Sequence, residues 1–152
     1  MNIRKAIASD QNSVLKICER LSDFKTPSWR TCEEIALEDM KTLNSYFSSP
    51  KPNQHLFVAE EESIVVGILF LEQRTDFFNK NPLMHISIVA VAKDKGGKGI
   101  GSKLLEYSEG LAKKLDIAQI SLNVFSSNQL ARNIYKSKGF NEDTIFMLKD
   151  IL

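Results

Sequence analysis

The decisive stretch runs Val89-Ala90-Val91-Ala92-Lys93-Asp94-Lys95-Gly96-Gly97-Lys98-Gly99-Ile100-Gly101-Ser102-Lys103-Leu104-Leu105. It reads as the end of a strand, a glycine-dense turn and the start of a helix. The glycines let the backbone turn tightly and leave bare N–H groups at a helix N-terminus. Unpaired amides and the positive end of the helix dipole make such a place an anion site. Lys93, Lys95, Lys98 and Lys103 surround it, so four of the chain's 20 basic residues fall within eleven positions. A polyphosphate is the natural ligand. The two common nucleotide loops fit poorly. A P-loop needs a lysine after its second glycine, and Gly101 is followed by Ser102. A dinucleotide fingerprint begun at Gly99 needs Gly or Ala where Leu104 stands.

Upstream, a short strand at Ile3–Ile7 leads to Ser9-Asp10, either of which can cap a helix. Val14, Ile17, Cys18 and Leu21 then recur at helical spacing. Thr31-Cys32-Glu33-Glu34 has the form of a capping box, and Ala36, Met40, Leu43 and Phe47 continue a second helix from it. Pro50 and Pro52 close that helix. His55–Glu60 and Ile64–Gln73 read as two strands joined by the acidic turn Glu61-Glu62-Ser63, and Met84–Ala92 as the strand before the glycine turn.

Downstream, Leu104, Leu105, Ser108, Leu111, Ala112 and Leu115 mark a third helix, and Ile120, Leu122 and Val124 alternate as a strand. Asn128–Ser137 forms a fourth helix closed by Gly139, and Phe140–Ile151 supplies a last strand or two. The expected class is α/β, a mixed sheet flanked by about four helices. One domain over 1–152 accounts for the whole length.

Composition narrows the function classes. With 43% apolar and 26% charged residues the chain can build a core, and 20 basic against 19 acidic residues argue against nucleic acid as the main partner. Cys18 and Cys32 lack metal-ligand or CxxC spacing, which predicts buried or half-buried helix residues rather than a disulfide, and no metal. No apolar segment follows the first five residues, and the longest apolar run, Ile64–Leu71, is too short to span a bilayer. The expectation is a cytoplasmic protein without a membrane partner.

The glycine turn resembles the signature of the GNAT superfamily of N-acetyltransferases, Arg/Gln-x-x-Gly-x-Gly/Ala after a strand, with Gly99 and Gly101 at its two glycine positions. A second match lies downstream. Asn128-Gln-Leu-Ala131-Arg-Asn-Ile-Tyr135-Lys-Ser-Lys-Gly139-Phe140 is similar to the family's Asn-x-x-Ala-x-x-x-Tyr helix with its following Gly-Phe. The element order agrees over essentially the whole chain. Two departures stand out: Gly96 holds the Arg/Gln position, and Lys93 stands where proline is common. Lys98 or Lys95 can act there as a point charge.

The resemblance implies acetyl-CoA as donor and a mostly antiparallel sheet. Amides from Gly97 through Lys98, Gly99, Ile100 and Gly101 to Ser102 would hold the pyrophosphate. The Val89-Ala90-Val91 edge would pair with the pantetheine arm, and a backbone N–H there would stabilise the oxyanion. The strand carrying that edge would have a bulge and splay from the next one, Ile117–Phe125. Asn128 and Tyr135, two helical turns apart, share a face. Asn128 would bind the pantetheine amide region and Tyr135 would protonate the departing thiolate.

The attacking amine must be neutral, so a base is required. His85 has a suitable unperturbed pKa and alternates with Ser87, Val89 and Val91 until any bulge. Glu72 and Asp76 are carboxylate alternatives read more simply as solvated strand-end charge, and His55 as a surface residue. Trp29 and Phe77 are candidates to line the acceptor mouth. The acceptor is an amine, either a small molecule or a protein N-terminus or lysine, and a homodimer is compatible with the fold's free sheet edges. A second reading keeps the cofactor site but makes the chain an acyl-CoA-binding sensor or interaction module.

Overall fold

The computed structural model describes all 152 residues apart from the side chains of Arg20 and Ser22. Five strands form one sheet in sequential order: β1 (Asn2–Lys5), β2 (Gln54–Glu61), β3 (Ile64–Thr75), β4 (Pro82–Val91) and β5 (Ile120–Leu122). The first four are antiparallel neighbours, and β4 and β5 run parallel. Helices α1 (Gln11–Cys18) and α2 (Cys32–Ser48) lie between β1 and β2 in the chain. Then α3 (Ile100–Lys114) joins β4 to β5, and α4 (Gln129–Ser137) follows β5.

Strand alternation sorts the core into two layers. Phe57, Ala59, Leu69 and Leu71 meet Ile100, Leu104 and Leu105 of α3. On the opposite face Leu56, Val58, Ile68 and Phe70 meet Val14, Ile17 and Cys18 of α1 and Leu43 and Tyr46 of α2. Gly67 sets how closely α3 can approach. A Cβ at that position would stand 3.0 Å from Leu104 and 3.1 Å from Ile100. Both residues belong to the first turns of α3, so this contact also fixes the helix end beside the glycine turn.

Local chemistry explains most boundaries. The capping box forms: Thr31 Oγ1 accepts from the Glu34 N–H at 3.1 Å, and Glu34 Oε2 accepts from the Thr31 N–H at 2.7 Å. The β2–β3 hairpin turns on Glu62 and Ser63, both at positive φ. That is the geometry of a tight two-residue turn, built here without the usual Asn or Gly. Cys18 is buried and Cys32 half-buried. Among the described residues no helix is long and apolar enough to cross a membrane.

Four expectations are corrected. Asp10 stands at the N-cap of α1 but makes no side-chain bond to that helix; its buried carboxylate accepts from Arg4 at 2.8 and 3.0 Å and from the Ile7 N–H at 2.8 Å. The strand after α3 is only Ile120–Leu122, short of Val124. His55 is half-buried, beside Gln73 at 2.9 Å and stacked on Phe57, because β2 lies inside the sheet. Residues 140–151 form no strand: the chain is irregular from Phe140 to its end, and residues 141–152 are all exposed.

Arg4 joins Asp10 to Glu60 across β1 and β2. Its hydrogen bonds hold the Asp10 carboxyl below the usual carboxylate range against the opposing effect of burial. A depressed folded-state pKa stabilises above the unfolded value of about 3.9 and stops doing so as pH falls through the folded value. Asp10→Asn should therefore cost roughly 2–4 kcal/mol near neutral pH and much less in acid. Urea titrations from pH 7 down to pH 2 measure this, and equal losses at both ends would refute it.

Candidate functional site

The ladder between β4 and β5 pairs only Met84, His85 and Ile86 with Ile120, Ser121 and Leu122. Beyond it the strands are no longer laddered together. The register against β3 shifts at the same place: Leu71 faces Ile86 and Phe70 faces Ile88, which leaves Ser87 as the extra residue of a bulge. The bulge inverts the side-chain parity of β4. Met84 and Ile86 before it lie in the α3 layer, whereas Ile88 and Ala90 after it lie in the α1/α2 layer. Val89 and Val91 then pack toward α3. His85 consequently does not share a face with Val89 and Val91.

The glycine turn follows directly. Gly97 and Gly99 adopt φ of 74° and 76°, and an added Cβ at either would meet nothing within 4 Å. Gly99 is the N-cap of α3, with no side chain bonded to the helix end. The result is an open cradle of backbone with amides at a helix N-terminus, the form that suits a pyrophosphate. Lys95 pairs with Glu61 at 3.7 Å. Among the described residues Lys93, Lys98 and Lys103 make no ion pair, so their charge is available to an anion.

Asn128 caps α4, its Oδ1 accepting from the Ala131 N–H at 3.2 Å. Tyr135 is half-buried, its ring edge-on to Phe140 at 5.8 Å, and burial raises its phenol pKa. A phenol shifted in that direction stays protonated at neutral pH. Tyr135 packs against the core layer that carries α3.

A cleft of about 230 Å³ opens between α2 and the bulged strand, walled by Asp39, Glu72, Arg74, His85, Ser87 and Asn123 among others. His85 is 7% exposed, its Nδ1 2.8 Å from Ser121 Oγ. Burial, with Arg74 nearby, pushes its pKa down to about 4, so the ring is neutral at pH 7. Glu72 is sequestered rather than solvated, accepting from Ser87 at 2.5 Å and from Arg74 at 2.9 Å. Burial works to raise its pKa, but these hydrogen bonds and the guanidinium hold it below the usual range. Asp76 closes a turn instead, accepting from the Phe78 and Asn79 N–H groups at 2.9 Å.

Asp39 is the residue that sequence reasoning passed over. Burial, with Glu38 adjoining, pushes its carboxyl up to about 6. Its only sequence signal is an acidic residue one position before Met40 on the apolar side of an amphipathic helix. Trp29, 54% exposed, and Phe77, 78% exposed, stand outside the cleft wall. In the connection that holds Trp29, Phe24 stacks on Phe125 at 5.4 Å and Arg30 lies over the same ring. These contacts tie the α1–α2 connection to the segment after β5.

The same fold occurs in known proteins. Residues 14–140 match the model of the acetyltransferase (GNAT) family. An uncharacterized N-acetyltransferase, YycN of Bacillus subtilis (strain 168), is 27% identical over 101 residues. That match covers 66% of this chain and 64% of YycN, just under two thirds of the relative's length. The crystal structure of a mutant form of the BH1408 protein from Bacillus halodurans superposes with a TM-score of 0.79 at 17% identity, over 100% of both chains. Aminoglycoside N-acetyltransferase AAC(6')-Iy in complex with CoA shares the fold at a TM-score of 0.69 and 14% identity, covering 98% of this chain and 99% of that one. The bulged strand, the glycine cradle and the family match over 14–140 lead to one conclusion: the chain belongs to the acetyltransferase (GNAT) family.

Proposed function

We propose that the protein moves an acetyl group from acetyl-CoA to an amine, by direct attack with donor and acceptor bound together. The observation that carries this reading is the parting of β4 from β5 at Ser87, with the anion cradle on one side and the Asp39 cleft on the other. Acetyl-CoA supplies an activated thioester. The amides of Gly97, Lys98, Gly99, Ile100, Gly101 and Ser102 hold its pyrophosphate, with Lys98 adding charge. Val89, Ala90 and Val91 offer a strand edge to the pantetheine arm, and an N–H of that edge meets the oxyanion. The Asn128 amide nitrogen faces the arm, since its oxygen is engaged in the cap.

Tyr135 acts as the acid toward the departing thiolate. A phenol near pKa 10 and a thiol near 8.5 make free proton transfer slightly uphill, so transfer accompanies loss of the sulfur. On the acceptor side Asp39 takes the amine's proton, because its pKa of about 6 leaves it ionised at pH 7 yet basic enough to serve. His85 is the competing base, and its pKa of about 4 makes it the weaker one. Trp29 and Phe77, exposed on their loops outside the cleft wall, are candidates for the acceptor mouth and not for the proton transfer.

Free-thiol release from acetyl-CoA against a panel of aminoglycosides, polyamines, amino acids and peptides tests the reading. Turnover with at least one amine is expected. Tight acetyl-CoA binding with no turnover across the panel would favour the sensor module instead.

Three variants separate the parts. Gly101→Val should weaken CoA binding at least tenfold while the melting temperature stays within a few degrees, since a Cβ there meets Val91 only at 3.7 Å. Unchanged CoA affinity by calorimetry would remove the cradle from the site. Tyr135→Phe should lower kcat about 10²–10⁴-fold and leave CoA affinity intact; undiminished kcat at saturation would exclude the phenol. The rate should fall as pH drops through about 6, where Asp39 is protonated, and Asp39→Asn should abolish that limb along with about 10²-fold of kcat/KM. A limb that stays in Asp39→Asn and moves in His85→Gln would transfer the role to the histidine.

A further inference from the structure

The turn that joins β3 to β4 displays two phenylalanine rings to solvent and holds them in place. Phe77 is 78% and Phe78 74% exposed, and the rings meet edge-on at 5.3 Å. The backbone beneath them is tightly bonded. Asp76 Oδ1 accepts from the N–H groups of Phe78 and Asn79, the Asp76 carbonyl accepts from the Lys80 N–H, and the Asp76 N–H donates to the Asn81 carbonyl. Lys80 takes a φ of 62°, an unfavourable conformation for a residue with a Cβ. Its ammonium lies over the Phe77 ring at 4.7 Å and donates to the Phe77 carbonyl. Backbone strain and local hydrogen bonds thus go into presenting apolar surface that the fold itself does not bury. Aromatic side chains held rigidly in this way are the usual anchors of a binding surface.

The turn also continues one wall of the cleft. Glu72 and Arg74 line the cleft from one face of β3, and Asp76 opens the turn two residues after Arg74. At the cleft's other end lie Ile88 and Asn123, where β4 has parted from β5. That end belongs to the donor's thioester, so an acceptor whose amine sits beside Asp39 leads its remainder past Arg74 toward the two rings. The path from Glu72 covers about 10 Å to the end of β3 and about 17 Å at most to Phe77, at ~3.3 Å per residue. Single amino acids do not span it. An extended peptide does so with about three to five residues beyond its first.

The charges along this path select the kind of chain. Among the described residues Arg74 makes one hydrogen bond, from Nη2 to Glu72 at 2.9 Å, and its side chain is 46% exposed. Its remaining N–H donors are open to uncharged oxygen acceptors. Arg74 and Lys80 both repel a second ammonium, which disfavours polyamines and aminoglycosides, and Glu72 beside the guanidinium disfavours an anion. A neutral chain rich in carbonyl oxygens, with an apolar group at its far end, satisfies all three conditions. The path follows a single strand, which suits a chain end better than a lysine in mid-chain. We propose that the acceptor is the N-terminal amine of an extended polypeptide, with Arg74 donating to its backbone carbonyls and Phe77 and Phe78 packing on a bulky apolar side chain at about its fourth to sixth residue. The inference rests on the acetyl-transfer reading, in which the amine lies beside Asp39.

Three peptide amides with the same first three residues test this on the full chain: a tripeptide, an octapeptide with leucine and phenylalanine at positions four and five, and an octapeptide with serine at both. Spermidine and kanamycin serve as compact and polycationic comparators. The apolar octapeptide should exceed the tripeptide and the serine octapeptide at least about tenfold in kcat/KM, chiefly through KM. Phe77→Ser combined with Phe78→Ser should bring those ratios close to one. The wild-type ratios alone decide the matter should that variant misfold. Equal kcat/KM for the three peptides, a preference that survives the double substitution in folded protein, or better turnover of spermidine or kanamycin would overturn the proposal and leave acetyl transfer standing. Calorimetric binding of the same peptides with CoA present separates the two readings. Absent turnover with tip-dependent binding of the apolar octapeptide would overturn acetyl transfer and support the peptide surface; absent turnover without such binding would overturn both.

Discussion

One extra residue, Ser87 in β4, sets the geometry on which the rest of the structure depends. A bulge shifts side-chain parity and bends the strand. Before it, β4 is an ordinary inner strand with β3 and β5 on its two sides. After it, Ile88 and Ala90 belong to one core layer and Val89 and Val91 pack toward the other. Because β5 parts from β4 at this same point, a strand that would otherwise be enclosed keeps an edge open inside the domain. A site open to both faces of one sheet follows from that single insertion.

Parting β4 from β5 weakens that end of the sheet, and packing elsewhere compensates. Gly67 brings α3 against β3 closely enough that Ile100 and Leu104 fill the space a Cβ would need. The same helix start presents the amides of the glycine turn, so core packing positions the anion cradle. Interiors near crystal-like density transmit such constraints with little give. On the opposite layer Tyr46 meets Phe70 edge-on at 5.5 Å. That contact fixes α2, and through it the Asp39 carboxylate, relative to β3.

Much of this was legible in the sequence, and the limits have physical causes. The capping box at Thr31, the hairpin around Glu62 and the glycine turn were readable because local chemistry alone dictates them. Asp39 was not, since its environment comes from the approach of α2 to strands far away in the chain. Glu72 looked like solvated charge for a similar reason: its partner Ser87 is fifteen residues distant, on the neighbouring strand. Asp10 looked like a cap because composition favours caps, yet Arg4 claims its carboxylate first. The apolar residues after Phe140 suit a strand by composition, yet among the described residues that segment pairs with none, because strand pairing is decided by distant neighbours and not by local pattern.

The near balance of 20 basic and 19 acidic residues conceals a division of charge between two parts of one site. Among the described residues the lysines at 93, 98 and 103 make no ion pair, and they stand around a helix N-terminus. In the cleft Arg74 offsets Glu72, which leaves Asp39 as the uncompensated charge. Fields of opposite sign on two sides of an open strand act differently on an anionic donor and a cationic acceptor. On the proposed function, each would be drawn to its own side and disfavoured on the other, so that orientation is selected before any contact forms. Screening at about 8 Å in physiological salt confines the effect to the site itself, where low-dielectric walls preserve it. A chain that is almost neutral overall therefore keeps its selectivity local, and the average charge has no bearing on which small ions it takes up.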